Sequence, residues 1–97
     1  MQQHRMLVTM ANQIGDFFRF QGDEESAKQS IAGHLHQFWA PSMRRDLIGW
    51  LDEHDGDGMQ PLVKASVSAY RHQLLNGFEK VPGEERLEEP RGGGDAG

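Results

Sequence analysis

Residues 4–20, HRMLVTMANQIGDFFRF, carry the strongest helical pattern in the chain and decide the fold class. Side chains on an α-helix lie about 100° apart around its axis, and this spacing sorts the stretch into two faces. The apolar face consists of Met6, Leu7, Met10, Ala11, Ile14, Phe17 and Phe18. The opposite face is polar and includes Arg5, Asn12, Asp16 and Arg19. The pattern predicts an amphipathic helix whose apolar face packs against the rest of the protein.

Three further helices are predicted after this one, each from a capping residue or a proline. Gly22 is placed to end the first helix and Asp23 to cap the second. Pro41 starts the third helix, and Pro61 starts the fourth, which Gly77 ends. The inward positions are Ala27, Ile31, Leu35 and Phe38, then Met43, Leu47, Trp50 and Leu51, then Val63, Val67, Tyr70 and Leu74. Because no segment alternates with the period of a strand, the chain is predicted to be all-α, a small bundle of about four short helices.

The chain divides into a helical part and a tail. Residues 1–76 are predicted to form one helical domain. Residues 77–97, GFEKVPGEERLEEPRGGGDAG, are rich in glycine, proline and acidic side chains, so they are predicted to form a disordered tail. A chain of 97 residues with 36% hydrophobic composition buries only a modest core. Small folds of this kind often need a partner subunit for stability.

Composition excludes several classes of function. The net charge of −5 and the dispersed arginines disfavour binding to nucleic acid. Because the chain has no cysteine, thiolate catalysis, cysteine-based zinc sites and iron–sulfur ligation are excluded. The sequence shows neither a secretory signal pattern nor a run approaching the roughly 18 apolar residues of a spanning helix. A cytoplasmic protein that does not enter membranes is therefore expected.

No catalytic, cofactor-binding or metal site is predicted. Residues 52–58, DEHDGDG, resemble the start of a calcium loop, but alignment on Gly58 puts Lys64 where a bidentate glutamate is required. A solvated loop is therefore preferred. His34 and His36 are two positions apart on a predicted helix, which points them about 200° from each other. No serine stands in a nucleophile motif, and no glycine-rich phosphate loop is present in the helical part.

Residues 34–47, HLHQFWAPSMRRDL, predict a helix–helix corner that also offers a surface to a partner. The third helix places Arg44 and Ile48 away from its main apolar face. Together they make the packing surface of this helix wider than contact between two layers of helices needs. Tryptophan and arginine are enriched in interface hot spots. The predicted partner-binding residues are Phe38, Trp39, Met43, Arg44 and Ile48. The sequence leaves open the alternative that Trp39 and Trp50 close the core while Arg44 lies over them.

Three strings, taken together in this order and spacing, resemble one known family. They are MANQIGDFF at residues 10–18, HLHQFWAPSMRRDL at residues 34–47 and PLVKASV at residues 61–67. In this combination the chain resembles the delta subunit family of bacterial NAD-dependent, molybdenum-containing formate dehydrogenases. The resemblance covers most of residues 7–75. One departure concerns the family pattern FWDPRMR, where this chain has FWAPSMR with Ala40 and Ser42. An aspartate at position 40 would cap the helix that starts at Pro41.

The resemblance implies an accessory subunit of a cytoplasmic complex that oxidises formate and passes electrons to NAD. It implies that molybdenum cofactor, iron–sulfur clusters and FMN are carried by other subunits and that none is bound by this chain. The implied partners are the larger subunits, above all the molybdenum-containing alpha subunit. The leading hypothesis is therefore a non-catalytic subunit that binds and stabilises the catalytic assembly. A transient chaperone for cofactor insertion is the alternative, and an independent small enzyme or metal-binding protein is a third.

Overall fold

The chain folds into a bundle of short helices. A computed structural model describes residues 2–76, with side chains placed for residues 4–75, and this part of the chain contains helices and no strand. The helices are α1 (Gln2–Phe18), α2 (Glu24–Phe38), α3 (Pro41–His54), α4 (Pro61–Ala69) and α5 (Arg71–Asn76). The all-α prediction is confirmed. The predicted tail lies outside the described residues, and no helix within them has the length and apolar character needed to cross a bilayer.

The start of α2 follows the predicted capping pattern. Asp23 Oδ1 accepts a hydrogen bond from the backbone N–H of Ser26 at 2.8 Å, and this bond lowers the pKa of the Asp23 carboxyl. Glu24 and Glu25 occupy the first turn, where negative charge is favourable against the helix dipole. Gly22 just before the cap has φ of 95°, a left-handed conformation that glycine adopts without strain. The turn between α1 and α2 is thus fixed by its own residues.

The start of α3 lacks such a cap. Ala40 occupies the N-cap position with φ of −65° and ψ of 150°, and it contributes no side-chain hydrogen bond. We expect Ala40→Asp to raise the free energy of unfolding by about 0.5–2 kcal/mol, because the carboxylate would accept a backbone N–H of the first turn. Urea unfolding followed by circular dichroism measures this gain, and the gain should fade in acid as the new carboxylate is protonated. An unchanged stability at neutral pH would contradict the cap geometry.

Helices α2, α3 and α4 each contact all four other helices, and α2 packs against both α1 and α4. Of the four predicted inward residues of α2, Ala27, Ile31 and Leu35 are buried. The inward prediction for Phe38 is wrong: this last residue of α2 is 61% exposed, because the helix ends there and its neighbours leave most of its ring uncovered. A side-chain bond ties α4 to α2: the buried Ser66 hydroxyl donates to the carbonyl oxygen of Lys28 at 2.6 Å. The cluster of buried apolar residues consists of Leu7, Val8, Ala11, Phe18, Ala27, Ile31, Ala32, Leu35, Trp39, Leu47, Ile48, Met59, Val63, Val67 and Leu74. Each helix contributes to one shared core.

The predicted fourth helix is in fact two helices. Tyr70, with φ of −113° and ψ of 25°, ends α4, and α5 then packs against α3 with Leu74 buried. The Arg71 guanidinium holds α5 to α3, because Nη1 donates to Asp52 Oδ1 at 2.8 Å and Nη2 donates to Oδ2. These hydrogen bonds lower the pKa of Asp52. The single long helix predicted from Pro61 is therefore corrected: the chain bends at Tyr70 so that its last described turn covers α3.

Candidate functional site

Helix α1 presents an apolar stripe that the bundle does not fully cover. Met6 and Phe17 are 62% and 65% exposed, and Met10 between them is half-buried. The sequence placed all three on the inward face, and for Met6 and Phe17 that expectation is wrong. Their α1 positions lie on the far side from Val8, which is buried. The apolar arc of α1 from Val8 to Met6 spans about 200°, roughly twice the usual stripe of a surface helix, so its neighbours cover only part of it.

The exposed stripe borders a groove between α1 and α2. The groove has a volume of about 310 Å³. Its lining residues are Met10, Gln13, Ile14, Phe17, Phe18, His34 and Trp39. None of them carries a fixed charge. The groove is therefore a predominantly apolar depression that follows successive turns of α1, with His34 and the C-cap residue Trp39 on the side of α2.

Aromatic rings run across the groove in sequence. Phe17 and Phe18 meet edge to face with centroids 4.9 Å apart, and Phe18 meets the imidazole of His34 at 6.2 Å. His34 in turn lies 4.7 Å from Phe38, one helical turn further along α2. Ring pairs at these distances add to the stabilisation from burial alone. The series joins the buried Phe18 to the exposed Phe17 and Phe38, so the outer rings are held in place by the inner ones.

His34 is the titratable member of the groove. Its imidazole is partly buried between Phe18 and Phe38, and this burial lowers its pKa below the ordinary value of 6.5. The direction follows from desolvation, which disfavours the charged imidazolium. His34 is thus more readily neutral than a histidine in water.

The structure separates the five predicted partner-binding residues. Phe38 is 61% exposed, and Met43 is half-buried against the core. Trp39, Arg44 and Ile48 are buried, with 7%, 6% and 3% exposure. Trp39 lines the groove, and Phe38 adjoins it through its ring contact with His34, so these two residues belong to the candidate site. The five residues do not form the single exposed corner that the sequence indicated.

The expectation that Ile48 lies outside the packed face of α3 is wrong, and Arg44 is enclosed with it. The reason is the number of neighbours. Packing on one side alone would leave Ile48 exposed, whereas α3 contacts α1 and α5 as well as α2 and α4. A helix with neighbours on several sides buries a wider arc, and Ile48 lies within it. The burial of Trp39 agrees with the alternative that Trp39 and Trp50 close the core, whereas Trp50 is only half-buried against it.

A second depression, of about 540 Å³, lies where α1 meets the loop after α3. Trp50 is stacked between His4 and His54, with ring centroids 5.1 Å and 4.0 Å away, and its Nε1–H donates to the carbonyl oxygen of Asp57 at 2.8 Å. The full lining is Arg5, Val8, Thr9, Asn12, Trp50, Asp57 and Gly58. Its indole and amide groups are engaged in holding the loop. We therefore regard it as a structural junction.

The acidic loop itself pairs with a nearby lysine. Lys64 Nζ lies 3.5 Å from Asp55 Oδ2, and Asp55 adopts the left-handed conformation that ends α3. This is the lysine that made a calcium loop unattractive from the sequence. Among the side chains that the structure describes, no group of three or more histidine, aspartate or glutamate residues is arranged to hold a metal ion. The apolar groove remains the feature with the clearest capacity for binding.

The groove residues on α1 were not predicted as a site from the sequence. Met10, Ile14 and Phe17 were assigned to the core because periodicity alone does not tell which part of an apolar arc a neighbour covers. The signal available in the sequence was the width of that arc. An arc of about 200° exceeds what a helix at the edge of a small bundle buries on one side.

Fold and groove define a small all-helical protein with an apolar depression at its surface. A family model described as "NADH-dependant formate dehydrogenase delta subunit FdsD" matches residues 6–67. The chain belongs to this family. The matched range contains α3 and most of α1, together with all of α2 and most of α4, so it includes every groove residue. No curated protein and no solved structure matches the chain significantly.

Proposed function

We propose that this chain is a non-catalytic accessory subunit that binds the larger subunits of a cytoplasmic NAD-dependent formate dehydrogenase. Its most direct partner is the molybdenum-containing alpha subunit, whose cofactor-loaded form it stabilises. Binding to the native assembly and not to unfolded subunits would stabilise that assembly by mass action. Membership of the delta subunit family supports this proposal.

The structural observation that supports the proposal is the exposed apolar surface beside the groove. Met6, Phe17 and Phe38 together expose roughly 400 Å² of side chain, if each offers about 200 Å² when fully exposed. This area is comparable with the largest apolar patch on a typical soluble monomer, about 300–600 Å², and such a patch is often functional. The same area is about half of what one partner contributes to a standard interface. The surface is thus large enough to form the apolar centre of a contact.

The cofactors belong, in this proposal, to the other subunits. Molybdenum cofactor, iron–sulfur clusters and FMN would all be held by the larger chains. Thiolates are the usual ligands of iron–sulfur clusters, and this chain has no cysteine. Its role would then be mechanical: to cover and order a surface of the catalytic assembly. Catalysis itself would depend on this chain only through the amount of correctly assembled enzyme.

Purification through a tag on this chain tests the proposal. When the chain is expressed with the other subunits, we expect the complete enzyme to be recovered with this chain in one-to-one ratio to the alpha subunit. Recovery of the chain alone would contradict the proposal. Presence of the chain only in complexes without molybdenum cofactor would support the transient chaperone instead, because a chaperone leaves once the cofactor is inserted.

A further inference from the structure

The groove differs from the remaining surface in its lack of charge. Aspartate, glutamate, lysine and arginine make up 26% of the chain, yet none of them lines the groove. Its polar members are Gln13, which is neutral, and His34, which is neutral when deprotonated. An apolar groove without charge matches an uncharged apolar surface, since a charged occupant would lose hydration there without gaining an ionic partner.

Several charged side chains on the surrounding helices are engaged away from the groove. Asp16 of α1 accepts a hydrogen bond from Gln60 at 2.8 Å, on the side of α1 that faces the start of α4. Ion pairs among the described residues include Arg19 with Asp16, Lys28 with Glu25, Lys64 with Asp55, and Arg71 with Asp52. None of the other charged or titratable side chains described on α1, α2 and α3 apart from His34 lines the groove, and these include Arg5, Glu24, His36, Arg44, Arg45 and Asp46. Protonation of His34 would therefore introduce a positive charge into the groove, whose other lining residues are not titratable.

We propose that the groove receives an uncharged, apolar face of a helix from the larger subunits, and that His34 must be neutral for this helix to dock. This inference rests on the proposed function and specifies the chemistry of its partner. A helix fits because the groove runs between two helices and is flanked by the exposed rings of Phe17 and Phe38, which can pack around apolar anchors in successive turns.

The pH dependence follows from the position of His34. Docking covers the imidazole further, which adds to the desolvation that already lowers its pKa. At a pH near the pKa of His34, the complex then binds fewer protons than the free chain. Affinity is therefore constant at a pH where His34 is neutral in both the free chain and the complex. It falls as the pH drops through the pKa of His34 in the free chain. Acid should therefore release the partner, and neutral pH should favour docking.

Titration of binding with matched variants tests the inference. The full chain, labelled at its terminus, is bound to larger subunits prepared without it, and the dissociation constant is measured at about pH 7.5 and about pH 5.5. We expect the wild-type chain to bind roughly three- to tenfold more weakly at the lower pH. His34→Gln should remove most of this difference, while His72→Gln, a change at an exposed histidine of α5, should leave it as in the wild type. An unchanged pH dependence in His34→Gln would overturn the role of His34.

A second pair of variants tests the groove itself. Phe17→Glu puts a charge at the groove, whereas Phe20→Glu puts the same charge on an exposed phenylalanine of a different surface, beside Arg19 and Leu62. We expect at least a tenfold loss of affinity for Phe17→Glu and little change for Phe20→Glu. Equal binding by both variants would overturn the groove as docking site while leaving the proposed function intact. A dimer of the isolated chain that Phe17→Glu dissociates would overturn the assigned occupant, and failure of the wild-type chain to bind at either pH would contradict the proposed function.

Discussion

Gly15→Ala is expected to lower the free energy of unfolding by about 1–3 kcal/mol, although alanine is the better helix former. The reason is a close approach between α1 and α4. A Cβ atom added at Gly15 would lie 2.5 Å from Val63 Cγ2 and 3.1 Å from Gln60 Oε1. Val63 is fully buried, so its methyl group has little freedom to move aside. Either α1 shifts away from α4 or Val63 leaves its preferred rotamer.

Gly49→Ala is the matched control, because Gly49 also lies within a helix but has no atom within 4 Å of an added Cβ. We expect it to raise the free energy of unfolding by about 0.5–1 kcal/mol, the ordinary gain of alanine over glycine in a helix. Urea unfolding of both variants measures the two effects with opposite sign. The same sign for both would show that α1 and α4 do not approach as closely as the structure has them.

Asn12, one turn before Gly15 on α1, adds polar contacts between α1 and the start of α4. Asn12 Oδ1 accepts from the backbone N–H of Gln60 at 2.9 Å, and Asn12 Nδ2 donates to the carbonyl oxygen of Gly58 at 3.0 Å. The string at residues 10–18 therefore holds the loop and helix start that precede the string at residues 61–67. Residues 10–18 and 61–67 are thus in direct packing contact in the fold, through Gly15 and Val63 as well as through these hydrogen bonds.

Local signals in the sequence predicted most element boundaries correctly. Asp23 caps α2 through its own side chain, and the prolines at 41 and 61 begin α3 and α4 as expected. The break at Tyr70 had no such signal, since no glycine or proline lies between residues 62 and 76. It depends on distant groups: the Arg71 pair with Asp52 and the burial of Leu74. A boundary set by tertiary contacts is not visible in local propensity.

Helical periodicity also predicted which residues lie on the apolar face of each helix. It did not predict which of these residues the adjacent helices bury. Met6 and Phe17 were assigned to the core and are exposed, while Ile48 was assigned to a surface and is buried. Both errors have the same cause. The angle of a residue around its helix is a local property, whereas the number and positions of adjacent helices are not. In the structure the candidate site is accordingly the groove between α1 and α2 and not the corner at α3. Phe38 and Trp39 belong to both.

Ile48→Ala and Phe38→Ala should separate core from docking surface, and we expect the first to have the largest effect on stability of any change considered. Ile48 is enclosed by the bundle, so its truncation should lower the free energy of unfolding by about 2–5 kcal/mol. Ile48→Val should lower it by only about 0.5–1.5 kcal/mol. Because small domains are stable by about 5–15 kcal/mol, Ile48→Ala removes a large fraction of the total. Urea unfolding of the isolated chain measures both.

Phe38→Ala should show the reverse pattern. Phe38 is exposed at the end of α2, so its removal should change the free energy of unfolding by less than about 1 kcal/mol, chiefly through the lost ring contact with His34. Recovery of the larger subunits on the tagged chain should nevertheless fall, because Phe38 would pack against the docked helix. Folded Ile48→Val should recover them as well as the wild type. The opposite result would place the docking surface on α3 instead. In that case Ile48→Val would fail to recover the larger subunits at unchanged stability, while Phe38→Ala would recover them fully.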